Sequence, residues 1–185
     1  DAVTVAQDDP GAFEVPDWNI EQVETLRKAI NVLAATKEDT SGFFGDKSEL
    51  NPIDHLLGTA FGWGGNPKEA TIYLNAAPEK NDGKTPHTMT IADKVPVEDG
   101  GFVSITMYNK EGYMQENDLK MYSVNNVTAD RNEDGTVTIH AGGCEDGRKN
   151  CLPITEGWNY IIRLYKPSPE IISGDYQFPT FEASK

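Results

Sequence analysis

The chain has 185 residues, with 16 basic and 30 acidic side chains and a net charge of −14. That length fits one domain able to bury about two-thirds of its unfolded surface, while the charge repels nucleic acid and anionic membranes. Mean hydropathy is −0.54, no apolar run approaches the ~20 residues of a membrane span, and 17 Gly with 11 Pro point to a turn-rich fold.

Residues 1–16 show no periodicity and read as an extended lead-in. The acidic start has the look of the exposed terminus of a processed secreted chain, and no signal peptide stands in it. A helix is expected next, capped by Asp17 or Asn19, with Glu21 and Glu24 near its positive end. Ile20, Val23, Leu26, Ile30 and Leu33 recur at three- and four-residue spacing, which makes one apolar stripe running to about Ala35. A loop over 36–46 carries Phe43-Phe44 as an anchor between Gly42 and Gly45. A second helix is expected over 51–59, capped by Asn51 with Pro52 at its first position.

The hydrophobic period then changes to two. Strands are expected over 71–75, 87–92, 102–108, 119–124, 136–141 and 160–165, with turn signals at 81–83, 109–112 and 132–135. Val103, Ile105 and Met107 share one face, as do Val137 with Ile139, and Tyr160, Ile162 and Leu164. Ile161, Arg163 and Tyr165 take the opposite side of their strand. Residues 167–185 read as a final strand and tail. The pattern is that of a mainly β, antiparallel β-sandwich or jelly-roll-like fold, with one or two N-terminal helices covering an edge or end. Residues 1–50 form an N-terminal extension of the same domain, and 51–185 the sandwich itself.

Cys144 and Cys151 enclose Glu-Asp-Gly-Arg-Lys-Asn. An even count, close spacing and a polar loop fit a local disulfide, worth roughly 2.5 kcal/mol by loop-entropy arithmetic. Two neighbouring reduced thiols are the alternative. A metal site fits less well, because the spacing is not CxxC and no second ligand pair exists. The disulfide reading favours an oxidising compartment.

The segment Gly62-Trp63-Gly64-Gly65-Asn66-Pro67-Lys68-Glu69-Ala70-Thr71-Ile72-Tyr73 resembles the opening of the family called domain of unknown function 1214. The resemblance continues in order through Val95-Pro96-Val97, Phe102–Tyr108, Gly112-Tyr113, Asn117, the stretch 132–139, Asn150-Cys151-Leu152-Pro153 and Arg163-Leu164-Tyr165-Lys166-Pro167. It covers about residues 50–180. Val103 stands where many members carry Trp, and Cys151 where a Trp often precedes Leu-Pro. The family resemblance implies a β-sandwich, often secreted or envelope-associated in bacteria, and carries no established activity.

Several residue constellations bear on chemistry. Asp130-Arg131-Asn132-Glu133-Asp134-Gly135 imitates half a calcium loop, but Ala141 stands at the twelfth position, so a hairpin turn is expected. His55, His87 and His140 are not spaced for a shared metal. Asp54-His55 could orient an imidazole, although adjacent helical residues do not face each other. No serine sits in a nucleophile elbow, and Ser104 lies within a strand. Gly62–Gly65 lacks the residues of a phosphate loop, and its glycines fit positive φ or close approach around a packed Trp63. Trp63 with Tyr73 could alternatively stack a sugar ring. Arg163, alternating with apolar neighbours, is expected to pair with a carboxylate or to meet an anionic ligand.

The resulting expectation is a secreted or periplasmic, non-catalytic module that binds a small molecule, glycan or protein, with Trp63, Tyr73, His55 and Arg163 as ligand-binding candidates. It needs no metal and no cofactor, and its partners include neither nucleic acid nor an inserted membrane. The alternative is an enzyme acting on a polar small molecule or glycan through carboxylates, although no pair among 30 acids stands out. A purely structural scaffold is a third possibility.

Overall fold

In the computed structural model, residues 6, 8–9, 11–37, 42–62 and 64–184 are described. The first helix, α1 (Ile20–Ala34), is capped by Asn19, whose side chain accepts from the Gln22 amide at 3.0 Å. The second, α2 (Pro52–Phe61), is capped by Asn51, which accepts from the Ile53 amide at 2.8 Å. Both caps satisfy amides that a helix start leaves without partners.

Eight strands follow: β1 (Thr71–Ala76), β2 (His87–Ile91), β3 (Val97–Tyr108), β4 (Ser123–Asn125), β5 (Val137–Ala141), β6 (Cys151–Leu152), β7 (Asn159–Pro167) and β8 (Glu182–Ala183). They form two four-stranded sheets, ordered β1-β7-β3-β4 and β6-β5-β2-β8. Pairing is antiparallel throughout, except that β5 and β6 run parallel. Alternation decides which side chains turn inward. Val103, Ile105, Met107, Tyr160, Ile162 and Leu164 of one sheet share a single buried cluster with Met89, Ile91, Val137, Ile139 and Leu152 of the other. The fold is therefore mainly β, a sandwich of two predominantly antiparallel sheets.

Four expectations are corrected. The predicted strand over 119–124 shrinks to β4, because Asn117 bonds both backbone groups of Met121 and Lys120 takes φ +51°. The strand predicted from 102 begins at Val97 instead, and its register shifts between Val97 and Phe102 across Gly100-Gly101. The tail holds a short helix, α3 (Pro169–Ile172), before β8 pairs with β2. The 132–135 turn joins β4 and β5, which lie in different sheets, so it is a crossover rather than a hairpin.

The helices differ most from expectation. Instead of burying its stripe on the sandwich, α1 contributes Ala34, with Ile30 at the margin, to a separate cluster with Phe43, Leu57 and Phe44. Gly58 permits this packing: a Cβ there would stand 2.5 Å from Phe43 Cβ. Ile20, Val23, Leu26 and Leu33 remain exposed.

Candidate functional site

The outer face of the first sheet assembles the most chemically distinctive group. Register places Tyr73 opposite Arg163, and Arg163 opposite Ser104, which itself faces Asn125. Antiparallel partners project to one side, so this row crosses all four strands. The next row along brings Tyr165 beside Phe102, with rings stacked at 4.3 Å and 18°. Arg163 is half-buried within this face.

Its guanidinium is held by hydroxyls. Nη1 donates to Thr106 Oγ1 at 3.1 Å and Nη2 to the Tyr108 hydroxyl at 2.8 Å. The guanidinium carbon lies 5.9 Å from the Tyr108 ring centroid, within cation–π range. Among the described residues no carboxylate lies within ion-pair distance of Arg163. The expected carboxylate pairing is thus replaced by two neutral acceptors, because the outward positions of β3 are Thr106 and Tyr108. Two acceptors engage only two of five guanidinium N–H donors. Tyr73 is fixed from another direction, its hydroxyl accepting from Asn66 Nδ2 at 3.0 Å.

The structure therefore brings Tyr73 and Arg163 together. Thr106, Tyr108 and Phe102 belong to the same face and were not singled out, although they occupy the positions of β3 alternating with Val103, Ile105 and Met107. His55 is placed elsewhere, on α2. Its Nδ1 donates to the Phe43 carbonyl at 2.9 Å, and its ring meets Phe44 edge-on at 5.8 Å. Asp54 does not orient it, being paired instead with Lys37 at 2.6 Å. His55 is accordingly a strut of the helical hairpin. Trp63 lies outside the described residues. Its neighbour Gly65 has a close-packing role of its own, since a Cβ there would collide with the Phe44 ring.

A second feature is a cleft of about 690 Å³ beside Cys144, lined by Lys84, Glu116, Asp118, Glu145, Leu119 and Ile154 among others. Asp82 precedes the lining residues Gly83 and Lys84 and accepts from the Lys84 and Thr85 amides at 2.9 and 2.7 Å. These amides, with the Thr85 hydroxyl, draw the Asp82 pKa down to about 2. Cys144 and Cys151 are joined as a disulfide across a loop opened by a 3-10 turn at Cys144–Asp146. Inside it, hydrogen bonds from the Arg148 side chain and amide bring Asp146 to about 2. Burial, then Arg148, lowers His140, which neighbours Cys151 in the parallel pair. His87 is buried, donating through Nδ1 to the Thr85 carbonyl at 2.8 Å.

The calcium-like segment is engaged internally. Asp134 accepts from Thr136, and Arg131 spans the loop to Asp93, the Gly135 carbonyl and the Asn126 carbonyl. Among the described residues, no group of three or more His, Cys, Asp or Glu could hold a metal ion. No described helix is long and apolar enough to cross a membrane.

Comparison with known proteins agrees with this architecture and adds no chemistry. No curated protein matches the chain. The VPA0106 protein from Vibrio parahaemolyticus, known from a crystal structure, is similar at 27% identity with a TM-score of 0.66. The match covers 92% of this chain and 47% of that one, so the chain spans about half the length of this relative. The family described as "Protein of unknown function (DUF1214)" matches residues 69–169, inside which lie most of the sandwich and the whole Tyr73–Arg163 row. With more than half its length covered by that match, the chain belongs to the DUF1214 family.

Proposed function

We propose that this protein is a non-catalytic binding module that takes a short, carboxylate-bearing saccharide on the outer face of its first sheet. The observation carrying the proposal is Arg163: a half-buried guanidinium set among aromatic rings, bonded to two hydroxyls and to no described carboxylate. Such a group supplies N–H donors to a ligand carboxylate, while Tyr73 and the Phe102–Tyr165 stack offer surfaces to a sugar ring. The net charge of −14 repels extended polyanions, which favours a short ligand with one local negative group. The Cys144–Cys151 disulfide supports action in an oxidising compartment, outside the cell or in the periplasm.

The test is calorimetric titration with a panel of neutral and uronic-acid oligosaccharides. Wild type is expected to bind an acidic member, Arg163→Gln to weaken it at least tenfold, and Tyr73→Ala to weaken neutral and acidic members alike. Equal binding by wild type and Arg163→Gln overturns the assignment. Turnover of the bound saccharide overturns the non-catalytic reading in favour of a carboxylate-based enzyme.

A further inference from the structure

The edges of the two sheets are unequal. β4 has three residues and β6 and β8 two each, and such short edges offer little to a passing strand. β1 is different: six residues, Thr71–Ala76, at the end of its sheet, in unbroken register with β7 and carrying no Pro, Lys or bulge. Its ladder fixes which backbone groups stay open. The Lys166 amide donates to the Ala70 carbonyl at 2.9 Å, so the alternation of an antiparallel pair turns Ile72, Leu74 and Ala76 toward β7 for bonding. Thr71, Tyr73 and Asn75 direct their amides and carbonyls the other way. Among the described residues, only the Thr71 amide finds a partner there, the Pro67 carbonyl at 3.0 Å. On the core side, Ile72, Leu74 and Ala76 pack against the sandwich and are only partly buried.

We infer that β1 pairs antiparallel with the β1 of a second copy, about a two-fold axis at Tyr73, joining two four-stranded sheets into one of eight strands. Such a contact is closed and self-complementary. Tyr73 exchanges amide and carbonyl with its counterpart, and each Asn75 amide donates to the Thr71 carbonyl opposite, about four bonds in all. The side chains agree with the backbone. Residues directly opposite share a face, so Ile72 of one copy covers Leu74 of the other, and the inner apolar row runs through the junction. Pro67 and Pro78, which cannot donate to a ladder, fall just outside the paired span. Charge selects the register. Centring on Leu74 would set Glu69 against Glu79 and Lys68 against Lys80, whereas centring on Tyr73 brings Lys68 within one position of Glu79. On the outer face, the row of Arg163 and Tyr73 continues into the second copy's Tyr73 and Arg163. The two arginine Cα atoms then stand about 14 Å apart, three strand spacings. Two binding faces thereby become one. That consequence rests on the saccharide reading, and the strand pairing does not.

Sedimentation equilibrium of the full chain is run in 0.3 M salt, which screens the repulsion between two chains of charge −14. It is expected to show a species of twice the 20.3 kDa monomer mass. A contact this short lies at the small end of interfaces, so a dissociation constant of about 10–100 µM is expected. Asn75→Pro removes an amide that faces away from β7, a change an edge strand tolerates. It should weaken the dimer at least tenfold and leave the thermal midpoint of the dilute monomer unchanged. Under mild oxidation Tyr73→Cys should link to itself, the paired Cα atoms standing ~5.5 Å apart. Asn75→Cys, ~14 Å from its counterpart, should not. Hydrogen exchange at the Tyr73 and Asn75 amides should slow as concentration rises from 5 to 500 µM. A wild-type monomer at 500 µM overturns the inference, as does a dimer indifferent to Asn75→Pro or equal cross-linking at both cysteines. Full protection of those amides already at 5 µM means that the chain covers its own edge, and overturns it too. All of these readouts are taken without saccharide, so failure of the pairing leaves the Arg163 reading standing, and a saccharide panel without binding leaves the pairing standing.

Discussion

Trp158 is fully buried, and its ring meets three others: His87 at 5.3 Å, Phe181 at 5.6 Å and Tyr160 at 5.9 Å. This aromatic group fastens the C-terminal tail, through Phe181, onto the sandwich. Truncating such a side chain costs about 3–5 kcal/mol in lost burial and cavity formation. For a chain of this size each kcal/mol moves Tm by about 2–4 °C, so Trp158→Ala is expected to lower Tm by about 6–20 °C. The indole Nε1, however, is buried with no hydrogen-bond partner among the described residues, a penalty of about 1–3 kcal/mol already present in the wild type. Trp158→Phe removes that donor and leaves a void of roughly 40 Å³, worth about 1 kcal/mol. The two effects oppose, and Trp158→Phe should therefore stay within about 1.5 kcal/mol of wild type. Urea denaturation of both variants, followed by circular dichroism, measures the difference. If Trp158→Phe proves as damaging as Trp158→Ala, the indole N–H has a partner and the reasoning fails.

Three further outcomes are expected. Gly58→Ala should loosen the hairpin by about 1–2 kcal/mol, the clash with Phe43 outweighing the ~1 kcal/mol helix-propensity gain; hydrogen exchange should rise in α1 and α2 while the strands stay protected. Reducing Cys144–Cys151 should cost about 2.5 kcal/mol in urea titrations and add about two daltons, one hydrogen per sulfur; alkylation of both thiols without reductant would contradict the bond. Asp82 and Asp146, both near 2 when folded, contribute stability that is present above their unfolded pKa and is lost as pH falls toward 2. His140, lowered from 6.5 by burial, contributes stability that is full above 6.5 and declines as pH falls below it. Carbon and imidazole-proton NMR titrations should place all three midpoints below their ordinary values.

Local periodicity carried much of the fold. Two-residue alternation in 103–107, 137–139 and 160–164 identified inward faces that the sandwich core uses, and Asn19 and Asn51 announced helix starts that the structure caps as expected. These are short-range properties: strand geometry alone turns alternate side chains to opposite sides, and a cap bonds amides two or three residues away. Irregular backbone was less legible. The fold of 117–121 rests on one asparagine side chain gripping Met121, a bond that leaves no periodic trace.

The candidate site was legible only in part for a related reason. Alternation marked Arg163 as opposite to the core side of its strand, but its neighbours depend on sheet order. Tyr73 lies ninety residues earlier on β1 and Tyr108 on β3, and only the order β1-β7-β3 sets them on either side of it. Likewise the stripe of α1 was plain in its spacing, whereas its exposure follows from the hairpin closing around Phe43, Leu57 and Ala34. Which face of an element is apolar is written locally, because it follows from backbone geometry. What that face meets is set by long-range pairing, and in this protein such pairing unites Tyr73 with Arg163 and leaves Leu26 in water.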